Sequence, residues 1–126
     1  MDLYADQSGG LMKAVANSTH AALASISGGK EESLTALAGT REQQLSAAGL
    51  DPRTFALVKI AAMIALDAPP ASYAREIGDA VQDFVTPEDL LGVLRAVAPQ
   101  VGGPRVVAAA PELMLALGLS LPESTD

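Results

Sequence analysis

Apolar residues recur along this chain at intervals of three and four, which is the spacing of amphipathic helices rather than of strands. The first apolar stripe ends before Gly28, and its members are Leu11, Val15, Ala22 and Ile26. A second helical stretch covers about residues 32–48 and contains a break at Gly39. Thr40 and Gln43 have the spacing of a capping box, so a new helix is predicted to begin there.

The clearest helix start lies in the middle of the chain. Asp51 suits the N-cap position and Pro52 suits the first helical position. The helix that follows reaches about Leu66 and is apolar nearly all round, a pattern typical of a central, buried helix. After two prolines comes another helix, whose predicted apolar stripe consists of Tyr73, Ile77, Ala80, Val81 and Phe84.

Two further helices are predicted in the last third of the chain. Thr86 is an N-cap candidate followed by acidic residues in the first turn. Pro99 is expected to end this helix, and the last helix begins after Gly102 and continues to about Leu117. Pro111 is expected to kink or split that last helix. The pattern predicts an all-α fold of six or so helices in one domain over residues 1–126.

Composition restricts which side chains can fill the core and which kinds of partner the protein can bind. Hydrophobic residues make up 49% of the chain and aromatic residues 3%, so the core must be aliphatic. The net charge is −7, with 15 acidic residues and 8 scattered basic ones, which argues against nucleic-acid binding. The longest apolar run is interrupted by Lys59 and is too short to span a bilayer. Met1–Gln7 lacks signal-peptide features, so we expect a cytoplasmic protein without membrane attachment.

Two residue counts restrict the chemistry. The chain has no cysteine, which excludes disulfides, thiolate catalysis and cysteine-ligated zinc. His20 is the only histidine, so one chain cannot form a site of several histidines. We interpret His20 as partly exposed and without a function, although a symmetry axis could bring together His20 from several subunits. These two counts therefore predict no bound metal.

Three segments, taken in order, resemble the carboxymuconolactone decarboxylase family. They are Leu50–Thr54 and Val85–Leu90, which each open a helix, and Ala98–Arg105, which is similar to a Pro-Tyr-x-Gly-x-Pro segment of that family. The resemblance covers about residues 50–117. It implies the helical bundle of the alkylhydroperoxidase D-like fold and assembly into a homo-oligomer, either a trimer or a hexamer.

The family implied by this resemblance has two chemistries. One branch uses a Cys-x-x-Cys pair with a histidine, and those positions fall near Pro69, Ser72 and Glu76 here. Since the chain has no thiolate, peroxidase activity of this kind is excluded. The decarboxylase branch has no redox cysteines and no cofactor, but it carries a histidine where Glu76 stands and often a tyrosine where Gln100 stands.

Glu76 and Lys59 are the candidate catalytic residues. Each lies on an apolar face of its predicted helix, where an unpaired charge is costly, so we hypothesise that the two side chains pair. Such a pair can be an acid/base site, with Lys59 as a base, an amine nucleophile or a cation that binds a substrate carboxylate. It can equally be a structural ion pair without a role in chemistry.

Four polar residues are candidates for binding a substrate. Arg105 follows Gly103-Pro104 at a helix start and can hold an anion there, or it can be an ordinary solvated arginine. The resemblance alone suggests Gln100, Tyr73 and Ser72. The predicted function is a cofactor-free lyase or related enzyme on a small carboxylated molecule. The alternatives are a non-catalytic oligomer of the same fold that acts in binding or assembly, and an accessory subunit of a partner protein.

Overall fold

The computed structural model describes residues 14–123, and the chain divides after Gln44 into two compact units. Leu11 and the segment Met1–Gln7 lie outside the described residues. Within residues 14–123 there are seven helices and no strand, as the all-α prediction requires. The helices are α1 (Asn17–Ser27), α2 (Glu31–Thr35), α3 (Arg41–Ala48), α4 (Pro52–Leu66), α5 (Pro70–Gln82), α6 (Pro87–Val101) and α7 (Gly103–Ala116). The single-domain organisation stays a prediction.

The predicted breaks near the N-terminus are confirmed. Helix α1 ends at Ser27, and Gly29 takes a positive φ of 67° that allows the chain to turn away. Gly39 interrupts the stretch between α2 and α3 at a φ of 132°. Thr40 then caps α3 reciprocally with Gln43, since the N–H of each donates to the side chain of the other.

Helix α4 is central to the second unit because it contacts α5, α6 and α7. The Asp51 carboxylate caps it by accepting from the N–H of Thr54 at 2.9 Å and from the Thr54 hydroxyl at 2.8 Å. Its inward face is fully buried and consists of Ala56, Ile60 and Ile64. Two bulky residues on its outward face are largely exposed, Val58 at 54% and Leu66 at 77%. Burial all round was therefore a wrong prediction, because the three neighbouring helices cover only part of α4.

Helix α5 packs one face into the core, and that face consists of Tyr73, Glu76, Ile77 and Ala80. The stripe predicted from the sequence is wrong at its end, where Val81 and Phe84 are exposed. Phe84 has a positive φ of 67°, and the N–H of Val85 donates to the carbonyl of Ala80 at 3.0 Å. This left-handed turn ends the helix, leaving Phe84 in solvent and Val85 buried.

Helices α6 and α7 both continue through a proline. Thr86 and Asp89 form a complete capping box at the start of α6. Pro99 lies inside α6, which ends only at Val101, and Pro111 lies inside an unsplit α7. The predicted helix end at Pro99 is therefore wrong, and Pro111 does not split its helix; the kink that was the other expectation at Pro111 stays a prediction. A proline removes one N–H, and the outer side of a helix allows water to satisfy the carbonyl left without a partner.

The core of the second unit is aliphatic apart from Phe55 and Tyr73. It is built from inward residues of α4, α5, α6 and α7 and from Val85, which lies between α5 and α6. Ile60, Ile64 and Ile77 are its largest fully buried aliphatic side chains. The scarcity of aromatic residues thus correctly indicated how the core is filled. None of the helices within residues 14–123 is long and apolar enough to cross a membrane.

Candidate functional site

Lys59 lies on the flank of α4, between the buried face and solvent. Its side chain is 33% exposed, and its Nζ lies 5.3 Å from the centre of the Phe55 ring, one helical turn earlier. An ammonium group at this distance from an aromatic face gains cation–π stabilisation. Because Phe55 is itself buried, the ring gives the flexible lysine side chain a fixed surface to rest on.

Glu76 lies on the buried face of α5, and its side chain is only 7% exposed. Its Oε1 is 3.4 Å from the Nζ of Lys59, so the pairing predicted from the sequence is confirmed. The two partners differ in access, since solvent reaches Lys59 and hardly reaches Glu76. A nearby cation stabilises a carboxylate this deeply placed, because burying a charge is unfavourable.

The arrangement of this pair permits proton transfer and ion binding. Glu76 provides a nearly buried carboxylate, and carboxylates are common proton-transfer groups. Lys59 in its charged form can instead attract an anionic ligand from the solvent side. The pair therefore combines a shielded carboxylate with the amine of a partly exposed side chain.

Tyr73 precedes Glu76 by one helical turn and is 1% exposed. Its hydroxyl is buried and has no hydrogen-bond partner within the described residues. Burial raises the pKa of the Tyr73 phenol above its usual range, and the carboxylates of Asp67 and Glu112 add to this increase. The phenol is therefore a neutral donor on the same buried face of α5 as Glu76, and its hydroxyl lacks an acceptor within residues 14–123.

The other predicted site residues lie at different places. Ser72 is half-buried in the first turn of α5, where its N–H donates to the carbonyl of Pro69 at 3.0 Å. Gln100 and Arg105 are exposed on either side of the junction between α6 and α7. The structure thus brings Lys59 and Glu76 into contact, whereas a binding role for Ser72, Gln100 and Arg105 stays a prediction.

The sequence interpretation missed an ion pair between two helix starts. Arg53 in the first turn of α4 donates from Nη2 to Oδ1 of Asp89 in the first turn of α6, at 2.6 Å. The N–H of Thr86 lowers the pKa of Asp89, and the Thr86 hydroxyl and the Arg53 guanidinium lower it further. Opposite charges in the first turns of two predicted helices were the available signal. Both residues belong to segments that carried the family resemblance.

Four surface cavities of the described residues have volumes of about 290 to 460 Å³, and none of these four is lined by Lys59 or Glu76. One of them, of about 300 Å³, is an apolar groove between α6 and α7 that contains Leu90, Leu94 and Met114. Over residues 14–123, no group of three or more acidic or histidine side chains is placed to hold a metal ion.

The family that the sequence motifs resembled is also the one whose family model matches the chain. The model of the carboxymuconolactone decarboxylase family matches residues 31–113. The match confirms the resemblance and begins earlier in the chain than the predicted range of about 50–117. Comparisons with curated proteins and with solved structures gave no match. The matched range contains Lys59, Tyr73 and Glu76.

Proposed function

The chain belongs to the carboxymuconolactone decarboxylase family, and on this premise we propose that it is a cofactor-free lyase acting on a small carboxylated molecule. Glu76 is the proton-transfer group, and Lys59 is the cationic group beside it. The observation that supports this proposal is the 3.4 Å contact between a nearly buried carboxylate and the amine of a side chain that is 33% exposed. General acid–base groups are commonly produced by such environments.

The buried hydroxyl of Tyr73 is a second observation that supports the proposed lyase function. A buried hydroxyl without an acceptor loses hydrogen-bond energy that a bound polar group would restore. A substrate oxygen that accepts from Tyr73 would lie along the same face of α5 as the Glu76 carboxylate. Arg105, Gln100 and Ser72 are proposed as further binding groups on the resemblance alone, and a cytoplasmic location is proposed on the sequence alone.

The experiment is a screen for carbon dioxide release from small oxo acids, dicarboxylic acids and lactone acids. Turnover by the wild-type protein that is lost in both Glu76→Gln and Lys59→Met supports the proposal. Glu42→Gln, which removes an exposed carboxylate in α3, is the matched control and should retain the wild-type rate. Turnover that persists in Glu76→Gln, or no turnover of any acid in the panel, contradicts it.

A non-catalytic oligomer of the same fold is the second candidate. It is supported by the outward face of α4, where Val58 and Leu66 are exposed beside exposed Ala62. An apolar face of this kind is typical of helices that pack against another subunit. The expected assembly is the trimer or hexamer implied by the family.

Analytical ultracentrifugation tests the oligomer. The wild-type protein should sediment as a trimer or hexamer, and Leu66→Lys should shift it toward the monomer because a charge enters the apolar contact. Leu34→Lys changes an exposed leucine of α2 and serves as the matched control. A wild-type monomer at micromolar concentration contradicts this second candidate.

A further inference from the structure

We propose that Phe84 and the cleft beside it form a two-fold contact between two copies of this chain. The cleft, here named the Phe84 cleft, has a volume of about 290 Å³. The residues that line it are Asp51, Pro52, Arg53, Asp83 and Phe84. It lies at the opposite end of α4 from Leu66, and the contact is independent of the proposed lyase function.

Phe84 is placed unfavourably in two respects. It is 84% exposed, which makes it the most exposed of the large apolar side chains within residues 14–123. Its positive φ of 67° is a left-handed conformation that suits glycine and is unfavourable for a bulky residue. Glycine would remove both the strain and the exposed ring. Strained residues cluster at functional sites, so we infer that the ring serves a contact outside its own chain.

The turn at the end of α5 fixes the direction of the Phe84 ring. The N–H of Phe84 donates to the carbonyl of Val81 at 3.2 Å, and the N–H of Val85 donates to the carbonyl of Ala80 at 3.0 Å. Val85 and Ala80 are both buried, so the backbone on each side of Phe84 is anchored in the core. A side chain presented from a fixed turn loses little freedom on association, which favours a binding anchor.

The Phe84 cleft provides a recess next to the protruding ring. Residues 51–53 at the start of α4 form one wall, and residues 83–84 after α5 form the other. The ion pair between Arg53 and Asp89 holds the start of α4 against the start of α6. A cavity of about 150 Å³ is enough to bind benzene. The larger Phe84 cleft can therefore receive the phenyl ring of a second copy.

The charges of the Phe84 cleft favour a second copy over a simple ion. Arg53 contributes a cation, and Asp51 and Asp83 contribute carboxylates. A free anion would meet the carboxylates and a free cation would meet Arg53, whereas an identical patch presents the opposite sign to each. Two-fold symmetry can place Arg53 of each copy opposite Asp83 of the other. Such matching offsets the repulsion between chains that each carry a net charge of −7.

A two-fold contact decides between the assemblies left open above. By itself it makes a dimer, because an isologous contact closes after two copies. Together with a three-fold contact through the exposed face of α4, it joins two trimers into a hexamer. The contact therefore predicts an even number of chains and excludes an isolated trimer.

Sedimentation velocity of the wild type and three variants at micromolar concentrations tests the contact. We expect a wild-type dimer or hexamer. Phe84→Gly suits the positive φ and should stay folded by circular dichroism, yet it should weaken the two-fold association by about 30-fold, the loss typical of a truncated aromatic anchor. It should therefore give a monomer or a trimer. Val107→Ala shortens another exposed apolar side chain and should leave the assembly unchanged.

Photochemical cross-linking locates the contact. The variant Phe84→p-benzoylphenylalanine keeps an aromatic side chain, and mixing its ¹⁴N and ¹⁵N forms distinguishes links between copies from links within one copy. We expect peptides of mixed isotope that join position 84 to residues 51–53 or 83–84 of the other copy. Mixed-isotope links that all map elsewhere would refute a contact centred on the Phe84 cleft.

The third variant, Leu66→Lys, separates this contact from the α4 face. A wild-type trimer, or a hexamer that Phe84→Gly leaves intact, refutes the two-fold contact and leaves the α4 contact standing. A wild-type dimer that Phe84→Gly dissociates and Leu66→Lys does not supports the two-fold contact alone. A hexamer that becomes a trimer in Phe84→Gly and a dimer in Leu66→Lys supports both. A wild-type monomer refutes both.

Discussion

Replacing Lys59 with methionine removes the cation that lies 3.4 Å from the nearly buried Glu76 carboxylate. Removing one partner of a fully buried pair costs about 3–5 kcal/mol, whereas breaking an exposed pair costs about 1 kcal/mol or less. Lys59 is 33% exposed and Glu76 is 7% exposed, so this pair lies between the two limits. We therefore expect Lys59→Met to lower the free energy of unfolding by about 2 kcal/mol.

The reverse substitution should cost less, because the two partners differ in access to water. In Glu76→Met the lysine ammonium can turn toward solvent, and we expect a loss below about 1 kcal/mol. The double variant Lys59→Met/Glu76→Met removes both charges and keeps the volume apolar. It should unfold within about 1 kcal/mol of the wild type, and thus be more stable than Lys59→Met alone.

Urea unfolding followed by far-UV circular dichroism measures all four proteins, and the double-mutant cycle gives the coupling energy. Lys30→Met is the control, since loss of an exposed lysine should change stability by less than about 0.5 kcal/mol. If Lys59→Met were as stable as the wild type, or the double variant no more stable than Lys59→Met, Glu76 would not depend on Lys59, and the electrostatic reasoning would be refuted.

Three other predictions concern the helix caps and Tyr73. Thr86→Ala should lower the unfolding free energy by about 1 kcal/mol and Thr86→Ser should restore most of it, as measured by urea midpoints; equal midpoints would contradict the cap. The pKa values of Asp51 and Asp89 lie below the ordinary 3.8, so their stabilisation is complete above about pH 4 and is lost as the pH falls through their folded pKa values. Asp51→Asn and Asp89→Asn should therefore make the unfolding free energy fall less steeply with decreasing pH in the acidic range. An unchanged pH dependence would argue against this prediction. Tyr73→Phe removes an unpaired hydroxyl and should leave stability unchanged or raise it by up to about 1 kcal/mol, whereas a clear loss would reveal a hidden partner.

Helix starts were predictable because their chemistry is local. The Asp51 cap and the Thr86–Asp89 capping box each depend on residues within one turn, so a short segment contains the whole interaction. Helix ends were less predictable. Pro99 looked like a terminator, but its effect depends on whether the freed carbonyl can be solvated, and this depends on tertiary packing. The left-handed turn at Phe84 was not predictable, because a positive φ usually indicates glycine and the residue here is phenylalanine.

The candidate site was predictable in part for a related reason. Lys59 and Glu76 are charged residues on apolar stripes. Because an unpaired charge on such a stripe is costly, two of opposite sign are expected to pair where their helices meet. The Arg53–Asp89 pair gave no comparable signal, because exposed charges do not need partners. The open face of α4 was also hidden, since an apolar helix looks the same in sequence whether its own chain or another subunit covers it.

The Arg53–Asp89 contact joins residues that are 36 positions apart, and most of α4 and all of α5 lie between them. It therefore closes a loop of chain that contains both Lys59 and Glu76. Closing such a loop carries an entropic penalty that depends only weakly on loop length. In the folded chain, the pair at the candidate site lies within a segment whose two ends are in contact, so local opening of the site need not separate the ends of the loop.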